Sequence, residues 1–166
     1  MSLTNQDQDT IMKSQANPNI NKYMKAALEQ AKKAASIDEV PVGAVIVYQD
    51  KIIARAYNKR EHDQSFHSHA EFLAMMKASK KIGSWRLEDC DVYVTMEPCP
   101  MCAGAMIQAR IRNLYYGAKD PKAGVAGSVM NLLSYPFNHQ IHVESGIMAQ
   151  ESQILIKQFF KELRKK

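Results

Sequence analysis

Two short segments carry residue types whose spacing suggests chemistry: His69-Ala70-Glu71 and Pro98-Cys99-Pro100-Met101-Cys102. Cys99 and Cys102 are three residues apart, so on the first turn of a helix both sulfurs lie on one side. The positive end of the helix dipole there lowers their pKa toward the thiolate that zinc requires. His69, at the start of a second helix, can bring an imidazole to the same ion if the two helix starts lie side by side at the ends of adjacent strands. One nitrogen and two sulfurs leave a tetrahedral zinc one position open to water, whose pKa can fall from 15.7 to about 7. Glu71, poorly spaced to be a fourth ligand, can instead accept and donate the protons of a hydrolytic reaction. One metal and one carboxylate suit hydrolytic deamination of a nucleobase, where the ring nitrogen and the departing ammonia each need a proton.

Taken alone, the cysteine pair reads equally well as a redox dithiol, as a structural zinc knuckle or as two buried thiols. A closed structural site needs a fourth ligand, which Cys90 or His67 could supply. His62, His139 and His142 are left unassigned to the metal, and Cys90 reads most simply as a small core residue beside the strand from Val92.

The elements that must hold these groups follow from periodicity. With 166 residues and 46% apolar content, the chain can fill one core. Residues 1–18 are polar and aperiodic and read as a mobile leader, leaving 19–166 as a single domain. From Asn19, a favoured N-cap type, Ile20, Tyr23, Met24, Ala27, Leu28 and Ala31 mark an amphipathic helix. Gly43–Tyr48 and Ile52–Tyr57 predict an antiparallel hairpin. A helix is predicted over about 69–80, with Ala70, Phe72, Leu73 and Met76 inward and Gly83 as its stop. Val92–Met96 reads as a central strand, Pro98 ends it, and a helix through Cys102 and Met106 follows. A strand from Asn113, a Gly-rich segment over 120–128, a short helix or turn to Leu133, a strand at Ile141–Val143 and a helix from about Gln150 complete an α/β layer sandwich. The polar amino terminus and the absence of a long apolar run argue against secretion or a membrane span and for a reducing, cytoplasmic setting. Twenty-two Lys and Arg against 17 Asp and Glu give +5, which favours an anionic partner.

His-x-Glu followed by Pro-Cys-x-x-Cys resembles the zinc deaminase signature. Val40–Val45, Trp85–Glu88, Tyr93–Ala105, Asp120–Gly124, Gly127-Ser128 and Phe137–His139 further resemble the bacterial tRNA-specific adenosine deaminases, a likeness that runs from about Tyr23 to Arg164. The resemblance implies a cytidine deaminase-like three-layer α/β/α sandwich around a mixed five-stranded sheet. It also implies a homodimer that converts adenosine to inosine at the wobble position of a tRNA anticodon, in that family classically an arginine tRNA. His69, Cys99 and Cys102 would hold one Zn2+ per chain and Glu71 would shuttle protons. Asn58 would hydrogen-bond the flipped base, and Val40 and Ala70 would line its pocket. Asp120, Lys122, Asn138 and the last helix around Phe159 would approach the anticodon loop. Bases there are already unpaired, so duplex DNA is an expected poor substrate. The alternative is a zinc deaminase of a free base or nucleoside such as guanine or cytidine. The chain departs from the family at Ser65-Phe66-His67-Ser68, where Asp-Pro-Thr-Ala is usual, and in a loop before Phe137 that is one residue shorter.

Overall fold

Along the central strands apolar residues occupy both faces, which demands a helical cover on each side. The structure is a computed structural model that describes residues 18–166, so the leader expected over 1–18 lies outside the described residues except for Pro18. Its elements are α1 (Ile20–Ser36), β1 (Gly43–Tyr48), β2 (Lys51–Tyr57), the short α2 (Arg60–Asp63), α3 (Ala70–Ile82), β3 (Cys90–Met96), α4 (Pro100–Gln108), β4 (Asn113–Ala118), β5 (His142–Glu144) and α5 (Ala149–Arg164), with a 3-10 turn at Leu132–Ser134. The five strands form a sheet in the order β2-β1-β3-β4-β5. β1 runs antiparallel to β2 and β3, whereas β3, β4 and β5 are parallel, so the sheet is mixed.

Strand alternation assigns the layers. Ala44, Ile46, Val92, Val94 and Leu114 pack under α3 and α4. Val45, Val47, Tyr93 and Tyr115 face the other way, against Tyr23, Met24 and Ala27 of α1. There the Tyr93 ring stacks on Tyr115 at 4.6 Å and meets Tyr23 edge-on at 5.2 Å. α5 lies on the same side as α1, where buried Ser152 donates a hydrogen bond to the Thr95 carbonyl at 2.6 Å. The result is the α/β/α sandwich. No helix among the described residues is long and apolar enough to cross a membrane.

Several local expectations need adjusting. The hairpin turn is Gln49-Asp50, with φ of 50° and 60°, the two positive values of a tight turn matching strand twist, so β2 starts at Lys51. Asn19 occupies the N-cap of α1, but its side chain makes no capping bond. β5 begins one residue later than expected, at His142. The inner face of α3 is Ala70, Ala74, Met75 and Ala78, while Met76 is 42% exposed and Phe72 and Leu73 are half-buried. Alanines spaced four apart let the helix approach the sheet closely, and the bulkier residues are left on its flanks. Gly83 ends this helix in the left-handed conformation, φ 79°, as the sequence suggests.

α1 crosses β1 equally closely: a Cβ on Gly43 would run into the Ala27 carbonyl and the Ala31 amide, both backbone. Gly43→Ala is therefore expected to lower the unfolding free energy by about 1–3 kcal/mol. Urea denaturation reads this directly, and an unchanged midpoint would show that α1 can move away.

Candidate active site

Two helix starts meet at one end of the sheet. His69 is the N-cap of α3 and Cys99 the N-cap of α4, both with extended backbone, and Pro100 opens α4 with Cys102 in its first turn. Pro fits there because its missing N–H is one the helix could not use. The strands feeding these helices are not neighbours, as the sequence reading supposed, since β1 lies between β2 and β3. α2 and the segment after it carry the chain across, delivering His69 to the end of β3.

There the His69 Nδ1 lies 3.5 Å from both Cys99 Sγ and Cys102 Sγ. These ligand atoms all fall within 4.8 Å of one another. A tetrahedral zinc, with Zn–N near 2.0 Å and Zn–S near 2.3 Å, holds N and S about 3.5 Å apart, so the donor set and its spacing fit that ion. Cys90 sits at the opposite end of β3 and is buried, and His67 is bonded to Ser65, so neither joins this cluster to close it.

Without an ion the two sulfurs do not ionise alike. A hydrogen bond from Cys102, aided by His69, holds the Cys99 thiol down to about 4, whereas that same bond and burial push Cys102 up. The pair shares one proton, which metal binding would expel. The lowering expected of both thiols is met at Cys99 and, without an ion, not at Cys102. The hydrogen bond to Cys99 raises the imidazole of His69.

Glu71, in the first turn of α3, is buried, with Oε1 3.8 Å from His69 Nδ1. Burial raises its pKa, the direction a group that must both take and give a proton requires. His69, Glu71 and Cys99 line a cleft of about 200 Å³, a size suited to a single base, together with Val40, Asn58, Ala70 and Asp120. Lys122 is exposed at the tip of the loop whose turn Asp120 Oδ1 organises by accepting the Lys122 and Ala123 amides. Asn138 is exposed near the other end of β4, on a loop that His139 ties to the Ile111 carbonyl. Phe159 is half-buried in a groove between α1 and α5. The structure brings neither of these last two into the cleft.

Three contributors were missed in the sequence. Arg60 lines the cleft. Glu39, buried, accepts bonds from the His62 amide and from Asn58 Nδ2, which also faces the Val40 carbonyl at 3.4 Å. Both neighbours of that NH2 are acceptors, so the orientation of the Asn58 amide is set. Glu97 accepts from the amides of Asp120, Ala126 and Ser128 and from the Ser128 hydroxyl, holding the 120–128 loop over the cleft. Gly124 is needed there because a Cβ would collide with the Glu97 carboxylate. Burial alone would raise Glu97, but Ser128 and the three amides outweigh it and hold the carboxyl below its ordinary range. A carboxylate directly after an apolar strand and before Pro-Cys was the available signal.

The MafB19-like deaminase family model matches residues 18–164. The tRNA-specific adenosine deaminase of Bacillus subtilis is 51% identical over 145 residues, spanning 87% of this chain and 90% of that protein. A solved structure from studies of A-to-I editing by tRNA:A34 deaminases at the wobble position of transfer RNA is 42% identical, with a TM-score of 0.78, covering 81% of this chain and 98% of that one. Guanine deaminase from Nitrosomonas europaea, 22% identical with a TM-score of 0.74 over 84% of this chain and 83% of its own, shares the fold.

Because the folded pKa of Glu97 lies below the unfolded value near 4.3, its stabilisation is complete above that value and fades as pH falls through the folded one. Glu97→Gln is expected to lower the melting temperature at pH 7, with the gap from wild type closing as pH is taken below about 4. A gap independent of pH would show that the ionised carboxylate is not what holds the loop.

Proposed function

The chain belongs to the MafB19-like deaminases and, among them, to the tRNA-specific adenosine deaminases, and on that footing we propose that it converts adenosine to inosine at the wobble position of a tRNA anticodon. The observation that carries this reading is the His69–Cys99–Cys102 cluster opening, beside Glu71, into a base-sized cleft. Zinc held by His69 Nδ1 and the two sulfurs would supply a Lewis acid that lowers the pKa of water to about 7. The remaining work is done by the chain itself. Adenosine and water become inosine and ammonia: a C6–O bond forms as Glu71 takes one proton from water and passes it to N1, and the C6–N bond breaks as Glu71 takes the proton of the new C6 hydroxyl and gives it to the departing amine. Asn58, held by Glu39 and the Val40 carbonyl, would orient the base, and Val40 and Ala70 would give it apolar walls, a role supported by their place in the cleft lining.

An anticodon loop suits this cleft because its bases are already unpaired, whereas duplex DNA would have to be opened. Asp120 stands at the rim, and Lys122, Asn138 and Phe159 are proposed as outer contacts to the RNA, with an arginine tRNA as the first substrate to try. A cytoplasmic homodimer completes the reading. Support for the dimer is an apolar face between α3 and α4, where Phe72, Met101 and Ala105 adjoin Trp85, itself 57% exposed.

Sequencing an arginine tRNA with an unmodified wobble adenosine, after incubation with zinc-loaded protein, tests the proposal. The wild type should yield inosine, while Glu71→Ala should keep about one zinc per chain and lose about 10²-fold or more in rate. A fully active variant would remove Glu71 from the chemistry. Turnover of guanine or cytidine with none of tRNA would replace the reading by a free-base deaminase.

A further inference from the structure

The loop between α2 and α3 places one large aromatic side chain in open solvent beside the cleft. Phe66 is 80% exposed, more than any other large apolar residue described. Resting on the anticodon-loop reading, we propose that Phe66 is a platform on which an unpaired base flanking the target adenosine stacks.

A lone exposed phenylalanine is ordinary on a protein surface. Phe66 differs in its position and its backing. It lies three residues before His69, in a segment pinned to the residues that follow Asn58. The Ser65 amide donates to the Arg60 carbonyl at 3.1 Å, the Lys59 amide to the Ser68 carbonyl at 2.9 Å, and Ser68 Oγ to Asp63 at 3.0 Å. Arg60 and His69 both line the cleft, and the turn that bears Phe66 runs in the chain between these two lining residues. The ring does not hang free: it meets His67 edge-to-face at 5.7 Å, and His67 packs in turn near Phe72 at 5.7 Å. Ser65 Oγ bonds His67 Nδ1 at 2.8 Å, which fixes that backing ring.

A solvent-facing aromatic on a turn tied through its backbone to Lys59 and Arg60, whose cations lie over the Tyr57 ring and near Glu61, offers a stacking face for a base close in the chain to cations for its phosphates. Acidic groups also face this segment: Glu61 lies 3.7 Å from Arg60, and Asp63 is bonded to His62 and Ser68. Phe66 offers no hydrogen bond, so the flanking base is held without being read, and specificity stays with the cleft. Its position falls where the resembling family usually carries proline, so the contact belongs to this chain.

The test measures inosine formation on an anticodon stem–loop by wild type, Phe66→Ala and Phe66→Trp, on RNAs with a normal or an abasic nucleotide next to the target. Phe66→Ala should lower kcat/KM about ten- to hundredfold, almost all in KM, with zinc content and kcat unchanged, and Phe66→Trp should restore it. On the correct abasic RNA the wild type should show the same loss and Phe66→Ala no further one. Equal KM for wild type and Phe66→Ala, or a loss that persists undiminished on every abasic RNA, overturns the proposal. So does a changed sedimentation coefficient in Phe66→Ala without a change in KM, which would assign the ring to an interface between copies. A wild type that makes no inosine overturns the functional reading itself, whereas the other failures leave that reading standing.

Discussion

The meeting of two helix N-termini at one end of the sheet is the constraint on which the site depends. His69 and Cys99 are both the last extended residues before a helix, and their ligand atoms lie 3.5 Å apart. That distance can be kept only if α3 and α4 stay fixed relative to each other, and what fixes them is the apolar layer they share on one face of the sheet. Small residues allow the close approach: Ala70, Ala74 and Ala78 on α3, and Ala103 on α4, are buried to 0% exposure. Packing at this density transmits little slack, so the ligand geometry is set by the core.

Three buried glutamates surround the site, and each is stabilised differently. Glu97 is surrounded by donors and stays ionised, which makes it a clamp for the 120–128 loop. Glu39 joins the start of α2 to the Asn58 amide, linking the loop ahead of β1 to the residue that follows β2. Glu71 has fewer bonds and is pushed toward its neutral form, the direction that its proposed role as proton carrier needs. The same side chain thus serves structure or chemistry according to how many donors meet it.

How much of this could be read from the sequence follows from the range of each interaction. His-x-Glu and Cys-x-x-Cys are fixed by the geometry of one helical turn, so their placement at helix starts was legible, as were the hairpin, the strand at Val92–Met96 and the Gly83 stop. The inner face of α3 was misjudged because hydrophobicity was weighed above size, whereas close packing on the sheet selects alanine. The order of β1 between β2 and β3 depends on strand pairing across more than forty residues, which no local pattern encodes. Glu97 bonds residues 23 to 31 positions away and Glu39 residues 19 and 23 away, so their partners emerge only once the chain has folded. Asn138 and Phe159, taken from resemblance, lie away from the cleft because loops and a terminal helix are placed by contacts that motifs do not specify.

The central claim is that this cleft replaces the amine of one particular adenosine with an oxygen from water. Reaction of an arginine tRNA in water enriched in oxygen-18, followed by nuclease digestion and mass spectrometry of the anticodon fragment, tests it directly. The account predicts inosine at the first anticodon position carrying one solvent-derived oxygen-18, with every other adenosine unchanged. An unaltered wobble adenosine, or label incorporated at other positions instead, would contradict it.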